Sequence, residues 1–428
     1  MNEARSNELW LGKMPSEWTR SRIRNVAGLS PGYSGRPPAE DELCTVVPME
    51  SLSDDGAIDT SDQRPFENIQ QGLTLFEEGD VLFAKITPCM ENGKGAVVRR
   101  MPTRYGFGST EFHVLRPSRR ANGEFLYYTT FNPVYRSYAA ENMTGAAGQK
   151  RVSSRFLKDT RLPLPPLPEQ EQIVAYLDRS CAAIDGAVTA KRRQLGILDG
   201  IRKAFLHSVF ARMAGSPVER IKDITTKIGS GITPEGGAAN YLDNGIPLLR
   251  SQNVHFDGLR LEDVAYISPE THAEMAGTHL RPKDVLLNIT GASIGRCTFV
   301  PDGFAEGNVN QHVCIVRPGH RIDHRFLAAF LSSPVGQDQI LSTFTGASRQ
   351  GLSQKELGQI RMPLPDLSLQ LEAVAKINDQ DSKNKELGKC LEHQIETLLA
   401  YRTSLIHEYV TGQRRVTEAD LEPIHVHA

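Results

Sequence analysis

Four loop segments carry the residues best suited to chemistry on a polyanion. Thr87-Pro88-Cys89-Met90-Glu91-Asn92-Gly93-Lys94 and Gly291-Ala292-Ser293-Ile294-Gly295-Arg296 each end in glycine followed by a cation. Gly145-Ala146-Ala147-Gly148-Gln149-Lys150-Arg151 and Gly346-Ala347-Ser348-Arg349-Gln350-Gly351 form a second pair, and Leu249-Arg250-Ser251-Gln252-Asn253 adds long polar side chains. Backbone N–H groups, hydroxyls and cationic side chains suit phosphate oxygens, and Arg, Gln and Asn can also pair with base edges. The candidate DNA-binding set in the first half is Lys85, Asn92, Lys94, Gln149, Lys150 and Arg151. In the second half it is Arg250, Gln252, Asn253, Ser293, Arg296, Arg349 and Gln350. Taken alone, each of these loops reads as a plain turn rather than a site. The recurrence of glycine plus cation in both halves favours a function.

Other chemistries find little footing. No G-x-x-x-x-G-K-[ST] loop occurs, so the sequence holds no nucleotide-driven motor. Asn132-Pro133-Val134-Tyr135 is close to the Asn/Asp-Pro-Pro-aromatic signature of amino-methyltransferases, but Val134 stands where the second proline belongs. Its counterpart Ser333-Pro334-Val335-Gly336 has no aromatic, and Gly106-Phe107-Gly108 sits inside strand-turn sequence rather than opening a helix. The acidic pairs Asp54-Asp55 and Glu77-Glu78 read as solvated turns, and no nucleophile has a credible base nearby. Six scattered cysteines form no C-x-x-C pair and read as reduced thiols; His425-Val426-His427 is too short for a metal site. The expectation is a non-catalytic chain with neither cofactor nor metal of its own.

The bulk numbers set the remaining bounds. A chain of 428 residues is long enough for two or three domains with real cores, and 39% hydrophobic with 23% charged residues is ordinary globular composition. No run approaches the ~18 apolar residues of a membrane span, and Met1 to Glu8 lacks the apolar core of a signal peptide, so a cytoplasmic location is expected. The net charge of −2 counts mildly against nucleic acid as sole partner. It leaves room for a basic face, or for a partner that supplies part of the phosphate contact.

What must position the loops is an internal repeat. Leu162-Pro163-Leu164-Pro165-Pro166-Leu167-Pro168-Glu169-Gln170 recurs 200 residues later from Met362-Pro363-Leu364-Pro365-Asp366-Leu367. Gln170, Val174, Arg202 and His207 match Gln370, Val374, Arg402 and His407 without a gap. Upstream, Gly79–Ile86 and Glu111–Pro117 are answered by Asp284–Ile289 and His312–Pro318, short β-type runs broken by Gly, Pro, Asn and Asp. A helical piece follows in each half, Phe125 to Tyr138 and Arg325 to Leu341.

Each strand-rich part then closes on the proline stretch, read as an extended strap ending at a helix start. The first helix carries a three-four seam: Val174, Leu177, Cys181, Ile184, Val188, Lys191, Leu195, Leu198, Arg202, Phe205 and Val209. Gly186, Gly196 and Gly200 each weaken it by roughly 1 kcal/mol against alanine, so it requires a partner. In the second copy Asp381, Asn384 and Gly388 interrupt the seam before Leu391, Ile395, Leu398 and Leu405 resume it, which predicts a looser or kinked centre.

The fold class expected is α+β: two homologous mixed units separated by two long helices forming an antiparallel coiled coil with pseudo-two-fold symmetry. The boundaries are a polar lead-in over 1–17, a first unit over 18–161, and strap plus spacer helix over 162–213. A second unit over 214–361, strap and helix over 362–414 and a tail over 415–428 complete the chain.

The duplicated unit, the strap at 162–173, Asn288-Ile289-Thr290-Gly291-Ala292-Ser293-Ile294-Gly295-Arg296 and Asn310-Gln311-His312-Val313 together resemble the DNA specificity subunit of type I restriction-modification systems. The resemblance covers residues 18–412. It implies a non-catalytic reader with two target-recognition domains, each recognising one half of an asymmetric bipartite site in double-stranded DNA. It further implies helices that fix the gap, two docked methyltransferase subunits that bind S-adenosylmethionine, and a restriction subunit able to join. The second strap departs from the first, with Asp366, Ser368 and Leu369 replacing Pro166, Pro168 and Glu169. A pure assembly scaffold and a self-contained methyltransferase are the competing readings.

Overall fold

The β-type runs of the sequence form strands that pair alike in both halves. The computed structural model describes residues 10–69, 71–146, 148–237, 241–343 and 351–421. The chain divides into two units, Met1–Lys191 with His393–Ala428, and Arg192–Glu392.

In the first unit an antiparallel sheet runs in the order Ala27–Leu29, Phe112–Pro117, Val81–Ala84, Gly95–Val97. A second sheet runs Gln63–Pro65, Leu43–Val47, Gly106–Gly108, Thr74–Phe76, with its middle pair parallel. Val81–Ala84 is buried on both faces, as its unbroken apolar run requires. Gly106 and Gly108 are glycines for packing: side chains there would overlap the rings of Phe76 and Phe112.

The second unit repeats this plan with Thr225–Ser230, Val313–Pro318, Val285–Asn288 and Cys297–Phe299 as its antiparallel sheet. Ala265–Ile267, Ile246–Leu249 and Asn308–Val309 form the other, again with a parallel pair. A buried carboxylate anchors each antiparallel sheet. Arg116 grips Asp80 through Nε and Nη2 at 2.8 and 2.7 Å, and Arg317 grips Asp284 at 2.7 and 2.8 Å.

Each single helical piece expected after the strands is instead two helices. Gly123–Phe131 is followed by Pro133–Glu141, and His324–Ser332 by Pro334–Ser342. The break has a physical cause: Pro133 and Pro334 sit at first helical positions, where a missing N–H is harmless. The preceding Asn132 and Ser333 cap the new helices by accepting from the N–H of Val134 and Gly336. Asn132-Pro133-Val134-Tyr135 is therefore a helix start.

The straps are extended, and each is paired. Arg161–Leu164 runs antiparallel to Thr19–Arg22, and Arg361–Pro363 to Val218–Arg220. The lead-in is more than polar. Trp10 and Leu11 are buried in the first unit's core, with Trp10 edge-on to Tyr135 at 5.1 Å. The tail read over 415–428 is also built in at its start, where Arg415 Nη2 meets Glu169 Oε1 at 2.7 Å.

Long helices Leu167–Ala211 and Leu367–Thr411 follow the straps, 45 residues each and so roughly 65 Å long. In the first unit Val174, Leu177, Cys181, Ile184 and Val188 are buried in one cluster with Leu405, Ile406, Tyr409 and Val410, against which Ile395 and Leu398 pack. Asp185 meets Arg402 at 3.1 Å and Lys191 meets Gln394 at 2.6 Å, a descending register that makes the two helices antiparallel.

In the second unit Arg202 meets Asp381 at 3.0 Å, and Gly388 faces Leu198, again antiparallel. Leu391 is buried there, whereas Leu195, Leu198 and Phe205 are half-buried, and Leu206 is the fully buried residue beside Phe205. The second helix runs unbroken through Asp381, Asn384 and Gly388. Asp381 is held in the seam by Arg202, and Gly388 faces Leu198 with room for a Cβ.

Candidate nucleic-acid interface

In the first unit the glycine-and-cation loops meet at one edge. Thr87 N–H donates to the Lys150 carbonyl at 3.0 Å, and Val152 N–H to the Lys85 carbonyl at 2.9 Å. In the second unit Leu352 N–H donates to the Ile289 carbonyl at 2.8 Å, so the same junction recurs. Gly93 and Gly295 stand just before Lys94 and Arg296 with φ of 83° and 84°. Only glycine takes that conformation without strain, which explains the shared glycine-then-cation pattern.

Both loops are pinned from below by the same helical position. Arg136, fully buried, donates to the carbonyls of Thr130 at 2.8 Å and Met90 at 2.8 Å, and its guanidinium lies 4.4 Å from the Phe83 ring centre. Burial lowers its pKa to about 10. Gln337 takes this place in the second unit and donates to the carbonyls of Leu331 at 2.6 Å and Gly295 at 2.9 Å. One is a cation without a carboxylate and the other neutral, yet both satisfy one carbonyl at a helix C-terminus and one in a loop.

The residues proposed from sequence divide by how their side chains are used. Asn92, Gln149 and Lys150 stand exposed on the first unit's edge, and Arg296 is half-exposed on the second's. Lys85 Nζ reaches the Thr110 carbonyl at 2.6 Å near the surface. Lys94 Nζ donates to the Met49 carbonyl at 2.9 Å and so holds a neighbouring loop. Arg151 is engaged with Glu111, Nη2 to Oε1 at 2.8 Å and Nε to Oε2 at 3.0 Å, and this pairing lowers the Glu111 pKa.

In the second unit Ser293 Oγ lies 3.2 Å from Asn288 Nδ2, and Gln252 donates to Asp263 at 2.6 Å. Arg250 contacts the Asp263 carbonyl at 3.3 Å. Asn253 is a correction. It is buried and spends its amide on the carbonyls of Arg260 and Asp263 and on the Arg250 N–H, so it shapes a turn and presents nothing to a ligand. Arg349 and Gln350 lie outside the described residues.

Arg136, Gln337 and Glu111 were not singled out from sequence. Gln311, exposed, and His312, half-buried, join the second unit's edge beside Thr290, whose hydroxyl contacts His312 Nδ1. Gln311 and His312 entered the sequence reading only as part of the Asn310–Val313 motif and the recurring strand entry at Glu111 and His312.

Among the described residues no group of His, Cys, Asp or Glu could hold a metal ion, and the six cysteines are free. No described helix is long and apolar enough to cross a membrane.

Residues 59–191 match the family model of the type I restriction modification DNA specificity domain. The chain is 32% identical over 163 residues to the type I restriction enzyme EcoAI specificity subunit of Escherichia coli, over 38% of this chain and 28% of that protein. It is 28% identical to the EcoBI specificity subunit of Escherichia coli, over 70% of this chain and 68% of that one. Among solved structures, a chain from one on complex assembly and conformational transition of the type I R-M system aligns with a TM-score of 0.76 at 20% identity. That alignment covers 94% of this chain and 100% of the other, a likeness of fold. The chain is thus similar to type I restriction enzyme specificity subunits, spans less than a third of the EcoAI relative's length, and matches the DNA specificity domain model over residues 59–191.

Proposed function

We propose that this chain reads double-stranded DNA for a type I restriction-modification complex and does no chemistry itself. Residues 18–161 and 214–361 form the two recognition domains, each reading one half of an asymmetric bipartite site. The two long helices set the spacer and carry two methyltransferase subunits, which supply S-adenosylmethionine; a restriction subunit can join the assembly. The complex works in the cytoplasm.

The observation that carries this reading is a frame repeated twice around loops that differ. The strap, long helix, buried Arg–Asp pair and loop junction recur, while Lys150 and Arg151 in one unit give way to other residues in the other. A repeated frame keeps geometry constant, and changed loops let each unit read different bases, so half-site spacing becomes a geometric property. The near-neutral net charge fits a reader whose partners share the phosphate contacts.

The test is a map of modified adenines after co-expression with the methyltransferase subunit in a host free of methylation. An asymmetric two-part motif with a fixed gap supports the reading. Replacing residues 18–160 from a relative must then change one half only. No modification by a soluble, assembled complex favours a scaffold that binds proteins alone.

A further inference from the structure

The second unit holds a cavity of about 400 Å3. The first unit supplies an internal comparison, because helices Gly123–Phe131 and His324–Ser332 have equal length and equivalent caps in Asn122 and Asp323. Aligned residue by residue, Tyr127, Tyr128 and Phe131 correspond to Ala328, Ala329 and Ser332. Those three small residues line the cavity.

In the first unit the aromatic residues fill the corresponding crevice. Tyr127 stacks on Phe131 at 4.9 Å and reaches the turn at Gly56, where an added Cβ would overlap its hydroxyl. Tyr128 spans to the long helix and donates its hydroxyl to Asp178 Oδ1 at 2.6 Å. The second unit keeps the same walls: the turn at Asp257–Leu259, the strand Cys297–Phe299, and the long helix at Ile377 and Asn378. Asn378 stands where Asp178 does in the repeat. The aromatic bulk of its short helix has moved to the other face, where Phe330 packs on Phe210 at 5.3 Å. Among the described residues, Ala328, Ala329 and Ser332 leave open on this helix the space that the aromatic residues fill in the first unit.

We infer that this cavity is a binding site for a small neutral phenol-class aromatic molecule. The ring takes the space against Ala328 and Ala329, and the hydroxyl meets Asn378 at the rim. The walls combine apolar side chains with polar ones, among them Asn378 and the mutually paired Arg202 and Asp381, and the size is that of a small-molecule pocket. A gap between packed side chains forfeits dispersion contacts, which an entering ring restores. The site borders the strand that follows the Gly295-Arg296 loop, and the inference does not depend on the DNA-reading proposal.

The probe is 4-methylphenol, the side chain of tyrosine without its backbone, added to the full chain. Ligand-observed NMR is expected to show one saturable site per chain, with a Tm rise of about 2–4 °C once the probe exceeds its Kd several-fold. Ala329→Tyr, which copies the first unit, is expected to weaken binding at least tenfold. Asn378→Leu serves if that variant fails to fold: it is expected to weaken 4-methylphenol while leaving toluene binding unchanged. Crystals soaked in 4-bromophenol must place the bromine signal between Ala329 and Asn378. The inference is overturned by no saturable binding to the natural chain, by equal binding to Ala329→Tyr, by loss of both probes in a folded Asn378→Leu chain, or by bromine elsewhere.

Discussion

Gln170 and Gln370 close the same three hydrogen bonds, each in its own unit. Gln170 accepts from the Asn122 N–H at 2.8 Å and donates to the carbonyls of Arg120 and Pro165 at 3.0 and 2.9 Å. Gln370 accepts from the Asp323 N–H at 2.9 Å and donates to the carbonyls of Arg321 and Pro365 at 3.0 and 2.8 Å. Both are fully buried. One side chain thus ties the strap, the start of the long helix and the N-cap of the short helix into one joint.

Gln170→Ala leaves a buried N–H and two carbonyls without partners, a loss of about 2–4 kcal/mol. Hydrogen exchange is the suitable measurement, because two units need not unfold together. Protection is expected to drop in strand Arg161–Leu164 and helix Gly123–Phe131 while the second unit keeps its own. Gln370→Ala is expected to give the reverse pattern. Loss of protection throughout the chain in either variant contradicts the idea of two separate joints.

Arg136→Met removes a buried donor set and strands the carbonyls of Thr130 and Met90, costing about 2–4 kcal/mol locally. Because Met90 lies in the loop that ends at Lys94, the effect on recognition should fall on one half of the target. Methylation maps from Arg136→Met complexes are expected to relax that half alone, and those from Gln337→Met the other half. Relaxation of both halves by one substitution contradicts this assignment.

What the sequence made legible was whatever kept its spacing. Gln170 and Gln370, the straps and the buried seam positions Val174, Leu177, Ile184 and Val188 were read from periodicity and repetition alone. The joins between distant segments left no such trace. Arg136 is one arginine in a helix until the fold brings Met90 above it, and Arg151 reads as a free cation until strand pairing places Glu111 beside it. Asn253 failed for a similar reason: a turn buries it, and no local pattern separates a turn-shaping asparagine from an exposed one. The helix break at Pro133 was readable from proline chemistry, and the apolar residues flanking it concealed the break.

Lys150 and Arg296 are the residues whose exposure best suits phosphate contact. Lys150→Ala or Arg296→Ala in the assembled complex is expected to weaken binding similarly for all sequences. Each should also reduce the slope of log K against log salt by about 1. Arg151→Ala is expected to behave differently, since its loss frees Glu111 and loosens the loop. Affinity measured across a salt series separates these cases. An unchanged slope in both Lys150→Ala and Arg296→Ala removes these side chains from the interface.

His113 gives the first unit a pH dependence. Burial lowers its pKa below the ordinary 6.5, and its Nε2–H donates to the Val152 carbonyl at 2.8 Å; Lys85 opposes the charged form while Glu111 favours it. The unfolded chain takes up the proton first, near pH 6.5, so stability is complete above that value. It is lost as pH falls from 6.5 through the folded-state pKa. Replacing His113 with Gln is expected to flatten the dependence of unfolding free energy on pH between 7 and 5 in the first unit. The equivalent Cys314, its pKa pushed up to about 12 by burial, contributes nothing in this window. A His113→Gln chain with the natural slope shows that another group titrates there.

The long helices carry glycines that packing does not require. A Cβ added at Gly186, Gly196 or Gly200 would meet nothing within 4 Å, and one at Gly388 would rest 3.6 Å from Leu198 Cδ1, an ordinary contact. Alanine at each position is therefore expected to stabilise its helix by about 0.5–1 kcal/mol, through backbone entropy rather than new contacts. None of the four has the positive φ that would strain a side chain. If these helices act as a rigid ruler, the gap between the two halves of the methylated motif stays the same in all four variants while thermal stability rises. A changed gap shows that the glycines set the curvature of the helices and hence the spacing itself. Unchanged spacing with no gain in stability instead shows that partner subunits already hold the helices in place.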